Sequence, residues 1–315
     1  MCGILGILSK SFDISIMESL KLLKRLEYRG YDSSGVLYLT DSKKVSVLKK
    51  KGKINQLEQI VSNTEKSNFL MGHTRWATHG EPNDMNSHPH FSINKSFYIV
   101  HNGIIENYNS LKNILIEAGY EFYSDTDTEV LVNFLEYITN LNPKKSLQEN
   151  IRIALSRIKG TYGLIIYNTY DPINVYIIKN SSPIVIGLLE DNIYVSSDYY
   201  SFIEHCQNII HLQDEEMMIV NLNNLEYKIK NINTQKDINP NIEKLDIKLD
   251  QIEKSIFQHF MLKEIMNQTT SLEDCMRGRI NIHNQIKLGG LDIDLHNKPL
   301  IQHLSEAKKI ILCGC

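Results

Sequence analysis

The chain is poor in cysteine, in charge of one sign and in long apolar runs. Its five cysteines (Cys2, Cys206, Cys275, Cys313 and Cys315) are odd in number and scattered over 315 residues. That argues against a disulfide framework and for a reducing compartment. Thirty-four Lys and Arg against 37 Asp and Glu leave a formal net charge of -3, so no basic excess points to nucleic acid or an anionic membrane. The longest apolar stretches, such as 184–189, fall far short of the roughly 20 residues that cross a bilayer. The start, Met1-Cys2-Gly3-Ile4-Leu5-Gly6-Ile7-Leu8, has no basic segment ahead of it and is broken at Ser9-Lys10. It reads as a short buried strand, not a signal peptide. There is no internal repeat and no strong low-complexity tract. The expectation is a cytoplasmic protein with neither membrane nor nucleic acid as partner.

What is present is a globular balance, 42% hydrophobic and 23% charged residues. At about 100–200 residues per domain, the length fits one large domain or two ordinary ones. Ser15 and Glu18 form a capping box, after which Ile16, Leu20, Leu23 and Leu26 recur at helical spacing. Further helices are expected around 111–118, from 124 to 138, and from the Ser146 and Glu149 capping box to Gly160. Strands are expected at 36–39 and 45–48. Beyond Gly160 the period changes, and short β-branched and aromatic runs at 162–167, 174–178, 184–189, 193–196, 217–222 and 225–229 read as an antiparallel meander. Strands flanking a block of helices suggest an α+β domain with layered sheets and helices. From 231 to 250 the chain turns polar, and a domain boundary is expected there. Helices at 252–265 and 271–279 and an apolar strand at 309–315 follow, the last reading as the opening of a further domain.

Four features carry chemistry. Cys2 follows an initiator Met of the kind that is removed. As a true N-terminus it combines a thiol of pKa about 8.5 with an α-amine of about 7.7–8.0, a nucleophile and a general base in one residue; otherwise it is a small buried hydrophobe. The run His73-Thr74-Arg75-Trp76-Ala77-Thr78-His79-Gly80-Glu81-Pro82 holds the single Trp and offers, at Arg75, a fork for a carboxylate. It reads equally as a polar surface loop with Trp76 on the core. His88 and His90 raise a metal reading, but the spacing matches no familiar zinc pattern and no cysteine lies near. Asn102-Gly103 is either a tight hairpin turn or a pair of donors that a substrate can approach closely, an oxyanion hole. Asp127, in the first turn of its helix, either serves the helix N-terminus, with Ser124 or Thr126 as cap, or receives a substrate ammonium.

In combination these segments are specific. Cys-Gly-Ile at the start, Tyr-Arg-Gly-Tyr-Asp-Ser at 28–33, His-Thr-Arg-Trp-Ala-Thr-His-Gly at 73–80, Ser-His-Pro-His at 87–90, His-Asn-Gly-Ile-Ile-Glu-Asn at 101–107 and Thr-Asp-Thr-Glu at 126–129 occur in this order. The chain resembles the glutaminase domain of the glutamine–fructose-6-phosphate aminotransferase family. The likeness continues through Gly160-Thr161-Tyr162-Gly163, Ser196-Ser197-Asp198 and 259–265. Other class-II amidotransferases, amidophosphoribosyltransferase and asparagine synthetase among them, share only the Cys-Gly-Ile, the Asn-Gly and the acidic helix start.

The resemblance implies an α+β, four-layer αββα sandwich of the N-terminal nucleophile hydrolase type, followed by a helical linker. The implied domains are a glutaminase domain at 2–230, linker and interdomain helices at 231–308, and the start of a sugar isomerase domain at 309–315. It implies Cys2 as nucleophile with its freed amine as base, and Asn102 and Gly103 as oxyanion hole. Arg75 and Asp127 would hold the α-carboxylate and α-ammonium of L-glutamine. Thr78 and His79 would line the pocket, Trp76 would close over it, and Arg29 would order the Cys2 end. No metal or organic cofactor is implied. Fructose 6-phosphate would be met only through the absent isomerase domain, and a homodimer only in the longer protein. The alternatives are a glutaminase domain of another class-II amidotransferase and an inactive glutamine-binding fragment.

Overall fold

Three apolar clusters, separated by two sheets, account for the architecture. The computed structural model describes residues 2–245, 257, 259–276, 294–295 and 298–311. It divides into one unit ending at Ile247 and a second beginning at Lys248. In the first unit, the strand Gly3–Ser9 alternates its side chains: Ile4 and Leu8 enter a core between the sheets, whereas Leu5 and Ile7 face outward. Strand Phe97–Ile105 does the same from the other sheet, with Tyr98 and Val100 inward and Phe97 and Ile99 outward.

The outer face of the first sheet is covered by helix Ile16–Lys24, through Ile16, Leu20 and Leu23. That of the second is covered by Tyr108–Glu117, Asp127–Leu141 and Leu147–Leu155, through Leu111, Leu115, Leu131, Phe134 and Ile151. The layers are therefore α, β, β, α, as expected. Full burial of a Leu- or Phe-sized side chain is worth about 1.5–3 kcal/mol, and each sheet buries such residues on both faces.

In the eight-stranded sheet, Gly3–Ser9 lies between Phe69–Arg75 and Asn192–Ser196, antiparallel to both. Ser33–Leu39 and the edge strand Val45–Lys51 complete one side. That edge carries Lys49, Lys50 and Lys51, which discourage pairing with another chain. In the seven-stranded sheet, Phe97–Ile105 pairs with Gly160–Asn168, which pairs with Asn174–Asn180.

The strands after Gly160 do not form one meander. Asn174–Asn180, Glu216–Asn221 and Tyr227–Asn231 belong to the seven-stranded sheet, but Val185–Leu188, Asn192–Ser196 and Asn208–His211 belong to the other. The chain crosses at Ser181-Ser182-Pro183, where Ser181 has φ 67°. Periodicity cannot reveal the crossing, because strands buried on both faces read as unbroken apolar runs in either sheet.

The polar stretch after 231 holds two short strands, Asp237–Ile238 and Glu243–Lys244, each extending one sheet of the first unit. In the second unit, Phe260–Met276 is a single helix and Leu300–Glu306 another. Of the strand expected at 309–315, residues 309–311 carry no strand and 312–315 lie outside the described residues. Residues 252 and 256 of the expected linker helix, and 277–279 of the next, also lie outside them. Among the described residues no helix is long and apolar enough to cross a membrane.

Candidate active site

Cys2 stands immediately before the central strand, and pairing of Gly3 with Thr74 brings the end of strand Phe69–Arg75 beside it. The Trp76 N–H donates to Cys2 Sγ at 3.2 Å, and the thiol lies 3.5 Å from the Trp76 carbonyl oxygen. Burial pushes the thiol pKa up. The Trp76 N–H and the charges of Arg75 and Arg29 pull it back toward the thiolate. The Cys2 carbonyl accepts from Asn102 Nδ2 at 2.8 Å and from Arg29 Nε at 3.0 Å. Arg29 is in turn 3.7 Å from the Asp198 carboxylate.

Close backbone packing fixes the loop after Arg75. A Cβ on Gly30 would lie 2.5 Å from the Trp76 nitrogen and 2.6 Å from the Arg75 carbonyl carbon, so no larger residue fits. Asp32 accepts the Ala77 N–H at 2.9 Å and donates its own N–H to the Arg75 carbonyl at 3.0 Å. Arg75 itself is 4% exposed. Its Nη2 donates to the carbonyls of His79 and Gly80, but its buried Nη1 has no partner. Burial lowers the guanidinium pKa, and Cys2, Asp127 and Asp32 oppose that shift.

Asn102-Gly103 is not a turn. Strand Phe97–Ile105 runs straight through it, with Asn102 opposite Gly163 and Gly103 opposite Tyr162. Gly103 has φ 135°, and a Cβ there would lie 2.0 Å from the Thr161 carbonyl oxygen. Conformation and space both demand glycine.

Asp127 opens helix Asp127–Leu141. The cap is Thr126, whose Oγ1 accepts the Glu129 N–H at 3.2 Å. Asp127 is thus free of the capping task. Its Oδ2 accepts the Ile105 N–H at 2.8 Å, and its Oδ1 is 3.4 Å from Thr128 Oγ1. The helix N-terminus favours its negative charge.

Cys2, Arg75, Trp76, Thr78, His79, Gly103 and Asp127 line one narrow polar cleft. Trp76 is 46% exposed at its rim, edge-on to Tyr31 with ring centroids 5.9 Å apart, and does not pack into the core. His79 sits edge-on to Tyr108 at 5.3 Å and 3.4 Å from Thr78 Oγ1. Asn102 and Arg29 stand behind Cys2 and hold its carbonyl. His88, His101, Thr126 and Thr128 also line the cleft, and sequence reading did not assign them to it. Their signal was membership of the segments 87–90, 101–107 and 126–129, in which His88 was weighed as a metal ligand and Thr126 as a helix cap.

Among the described residues no group of three or more His, Cys, Asp and Glu is arranged to hold a metal. The rings of His73 and His88 stack at 4.0 Å instead of converging on a point. A wider groove, lined by Lys10, Leu188, Leu189 and Tyr227 among others, lies at the opposite end of the central strand. Its Lys10 is already paired with Asp191 at 3.1 Å.

Residues 57–247 match the family described as the glutamine amidotransferase domain. The chain is 40% identical over 317 residues to the glutamine–fructose-6-phosphate aminotransferase (isomerizing) of Bacteroides thetaiotaomicron, covering 100% of this chain and 50% of the relative. It is 40% identical over 321 residues to that of Chlorobaculum tepidum, with the same coverages. The chain thus spans about half the length of the curated relatives it matches. Among solved structures, the glutamine phosphoribosylpyrophosphate amidotransferase of B. subtilis superposes with a TM-score of 0.62 at 25% identity, over 73% of this chain and 49% of that one.

Proposed function

Because the chain belongs to the glutamine amidotransferase domain family, we propose that it hydrolyses L-glutamine to glutamate and ammonia with Cys2 as nucleophile. The observation that carries this reading is the unpartnered, buried Arg75 Nη1 in a cleft that also holds the Cys2 thiol and the buried Asp127 carboxylate. A buried guanidinium N–H without an acceptor is costly, and the α-carboxylate of an amino acid supplies one. Asp127 Oδ1 is the matching acceptor for the α-ammonium. A site built to pair both charged groups rejects amides that lack either.

Removal of Met1 frees the α-amine of Cys2, which takes the thiol proton, directly or through a water. The thiolate attacks the side-chain amide carbon. The resulting oxyanion accepts from the second Asn102 N–H and from the Gly103 N–H. Collapse breaks the C–N bond, and the proton returns to the departing nitrogen as ammonia leaves. Water then hydrolyses the γ-glutamyl thioester to glutamate and free thiol. Thr78 and His79 line the amino-acid end, Trp76 closes the rim, and Arg29 holds the Cys2 backbone in line. The scheme calls on no metal or organic cofactor.

We further propose that the ammonia serves glucosamine 6-phosphate synthesis from fructose 6-phosphate in an isomerase part outside this chain, in a homodimeric cytoplasmic enzyme. Ammonia supply to another class-II amidotransferase is the second reading, favoured by the likeness to the phosphoribosylpyrophosphate enzyme. Identity at the 40% level across the whole chain weighs for the first. Glutamate release from glutamine by the 315-residue chain, with N-terminal mass spectrometry, tests the proposal. Activity retained in Cys2→Ala, or an active chain that keeps Met1, overturns it.

A further inference from the structure

Four buried histidines, of which His88 and His101 line the cleft, take no part in the chemistry above: His73, His88, His90 and His101. His73 Nε2 lies 3.0 Å from the His101 carbonyl oxygen and 3.0 Å from Asn102 Oδ1. A carbonyl oxygen only accepts, so Nε2 carries the hydrogen and shares it between the two oxygens. The Asn102 amide is nearly symmetric in shape, and its two ends differ only in hydrogen bonding. Turned the other way, its NH2 would face the His73 N–H, donor against donor, and its oxygen would face the Cys2 carbonyl, acceptor against acceptor. The His73 N–H therefore decides which end of Asn102 points to the nucleophile.

From this geometry we propose that His73 is a positioning residue for the reaction, which orients the Asn102 amide so that its N–H groups face Cys2 and the developing oxyanion. The proposal rests on the glutaminase reading. The rest of the layer keeps His73 in that state. Its ring stacks on His88 at an interplanar angle of 14°, its Nδ1 is buried without a partner, and burial lowers its pKa to about 3. The ring is thus neutral at working pH, with its one hydrogen on Nε2. His88 Nδ1 accepts the backbone N–H of His101 at 3.3 Å, which ties the stacked pair to the strand that bears Asn102. His101 Nδ1 lies 2.9 Å from Thr128 Oγ1, next to Asp127. A single layer of neutral rings thereby links the oxyanion amide to the start of the helix that would receive the substrate ammonium.

The test uses the 315-residue chain with three substitutions at this position. In His73→Gln, the side-chain NH2 reaches the place of Nε2; in His73→Asn it stops a bond short; His73→Leu has no donor. His73→Leu and His73→Asn should lower kcat by about 10- to 100-fold with the glutamine KM changed less than about 3-fold, the pattern of a lost transition-state interaction. His73→Gln should recover most of the rate. An aldehyde analogue of glutamine, which forms a tetrahedral adduct on Cys2, should lose affinity in the Leu and Asn variants by the same factor as kcat.

A purely structural role would lower the folded fraction and leave kcat and aldehyde affinity per folded molecule unchanged. That result, or a His73→Gln variant that folds and is no better than His73→Asn, overturns the proposal. If His73→Leu does not fold, the Gln and Asn pair decides. If the wild-type chain releases no glutamate, the glutaminase reading falls by itself. The positioning claim is then read from the Asn102 side-chain amide signals in heteronuclear NMR. These should be protected from exchange in wild type and His73→Gln and unprotected in His73→Asn; equal protection in all three overturns it.

Discussion

The eight-stranded sheet reaches the cleft with its ends, and the seven-stranded sheet reaches it with the middle of a strand and the start of a buried helix. Cys2 precedes strand Gly3–Ser9, and Trp76 follows strand Phe69–Arg75. Both are partly exposed, and the Trp76 backbone holds the Cys2 thiol. Asn102 and Gly103 instead lie within a paired strand, and Asp127 is capped, buried and bonded to the Ile105 backbone. The division suits the proposed chemistry. A rim residue that would close over the substrate is best left at the exposed end of a strand, whereas groups that would receive charge work best when fixed beforehand. The sharpest way to break this contrast is Cys2→Ala. Turnover should fall by about 10³-fold or more, while glutamine still binds and the melting temperature stays near wild type. Calorimetric titration with glutamine checks both halves: loss of binding along with turnover would mean that the Cys2 thiol is itself part of the receptor.

On the fixed side the predicted effects are smaller and split by parameter. Asn102→Ala removes one donor of the proposed oxyanion hole and should lower kcat by about 10²–10³-fold with little change in KM. Asp127→Asn keeps the acceptor for the Ile105 N–H and loses the charge. Glutamine KM should then rise by about 10- to 100-fold, the worth of a charge-assisted hydrogen bond, with kcat nearly preserved. Steady-state glutaminase kinetics separate the two. A matched fall in kcat for Asp127→Asn would show that the two fixed groups act as one unit and not as oxyanion hole and receptor.

Much of this was legible in the sequence, and what was not has a physical cause. Helix starts are local events: Ser15 and Ser146 accept the N–H three residues on, as their spacing to Glu18 and Glu149 implied. An α+β domain of layered sheets and helices followed from strand runs flanking a block of helices, and the four-layer order from the family resemblance. The assignment of strands to sheets did not, because burial on both faces erases the alternation. Asn102-Gly103 was open between turn and donor pair. What excludes the turn is the Gly160–Asn168 strand beside it, far away in sequence. The histidine layer was harder still. His73 and His101 are 28 residues apart, and a histidine carries no mark of burial; spacing alone offered only a metal reading.

The histidine layer also sharpens the contrast at the level of stability, where the expected effect is smallest. His73 is held neutral with a pKa of about 3, below its unfolded value of about 6.5. As pH falls from 7 the unfolded chain takes up a proton that the folded chain refuses, so the folded state loses stability down to the folded pKa. Between pH 7 and pH 5 this amounts to about 2 kcal/mol for this one residue. His73→Gln has no such proton to take up. The stability difference between wild type and His73→Gln, from urea melts at the two pH values, should therefore shift by about 2 kcal/mol in favour of the variant on acidification. Burial also lowers the pKa of His88, His90 and His101, so the variant should keep a residual acid sensitivity of the same sign. A difference that does not change with pH would mean that the His73 ring takes up a proton in the folded protein. The eight-stranded side of the cleft, whose strand Phe69–Arg75 carries His73, would then be adjustable inside that strand as well as at the rim.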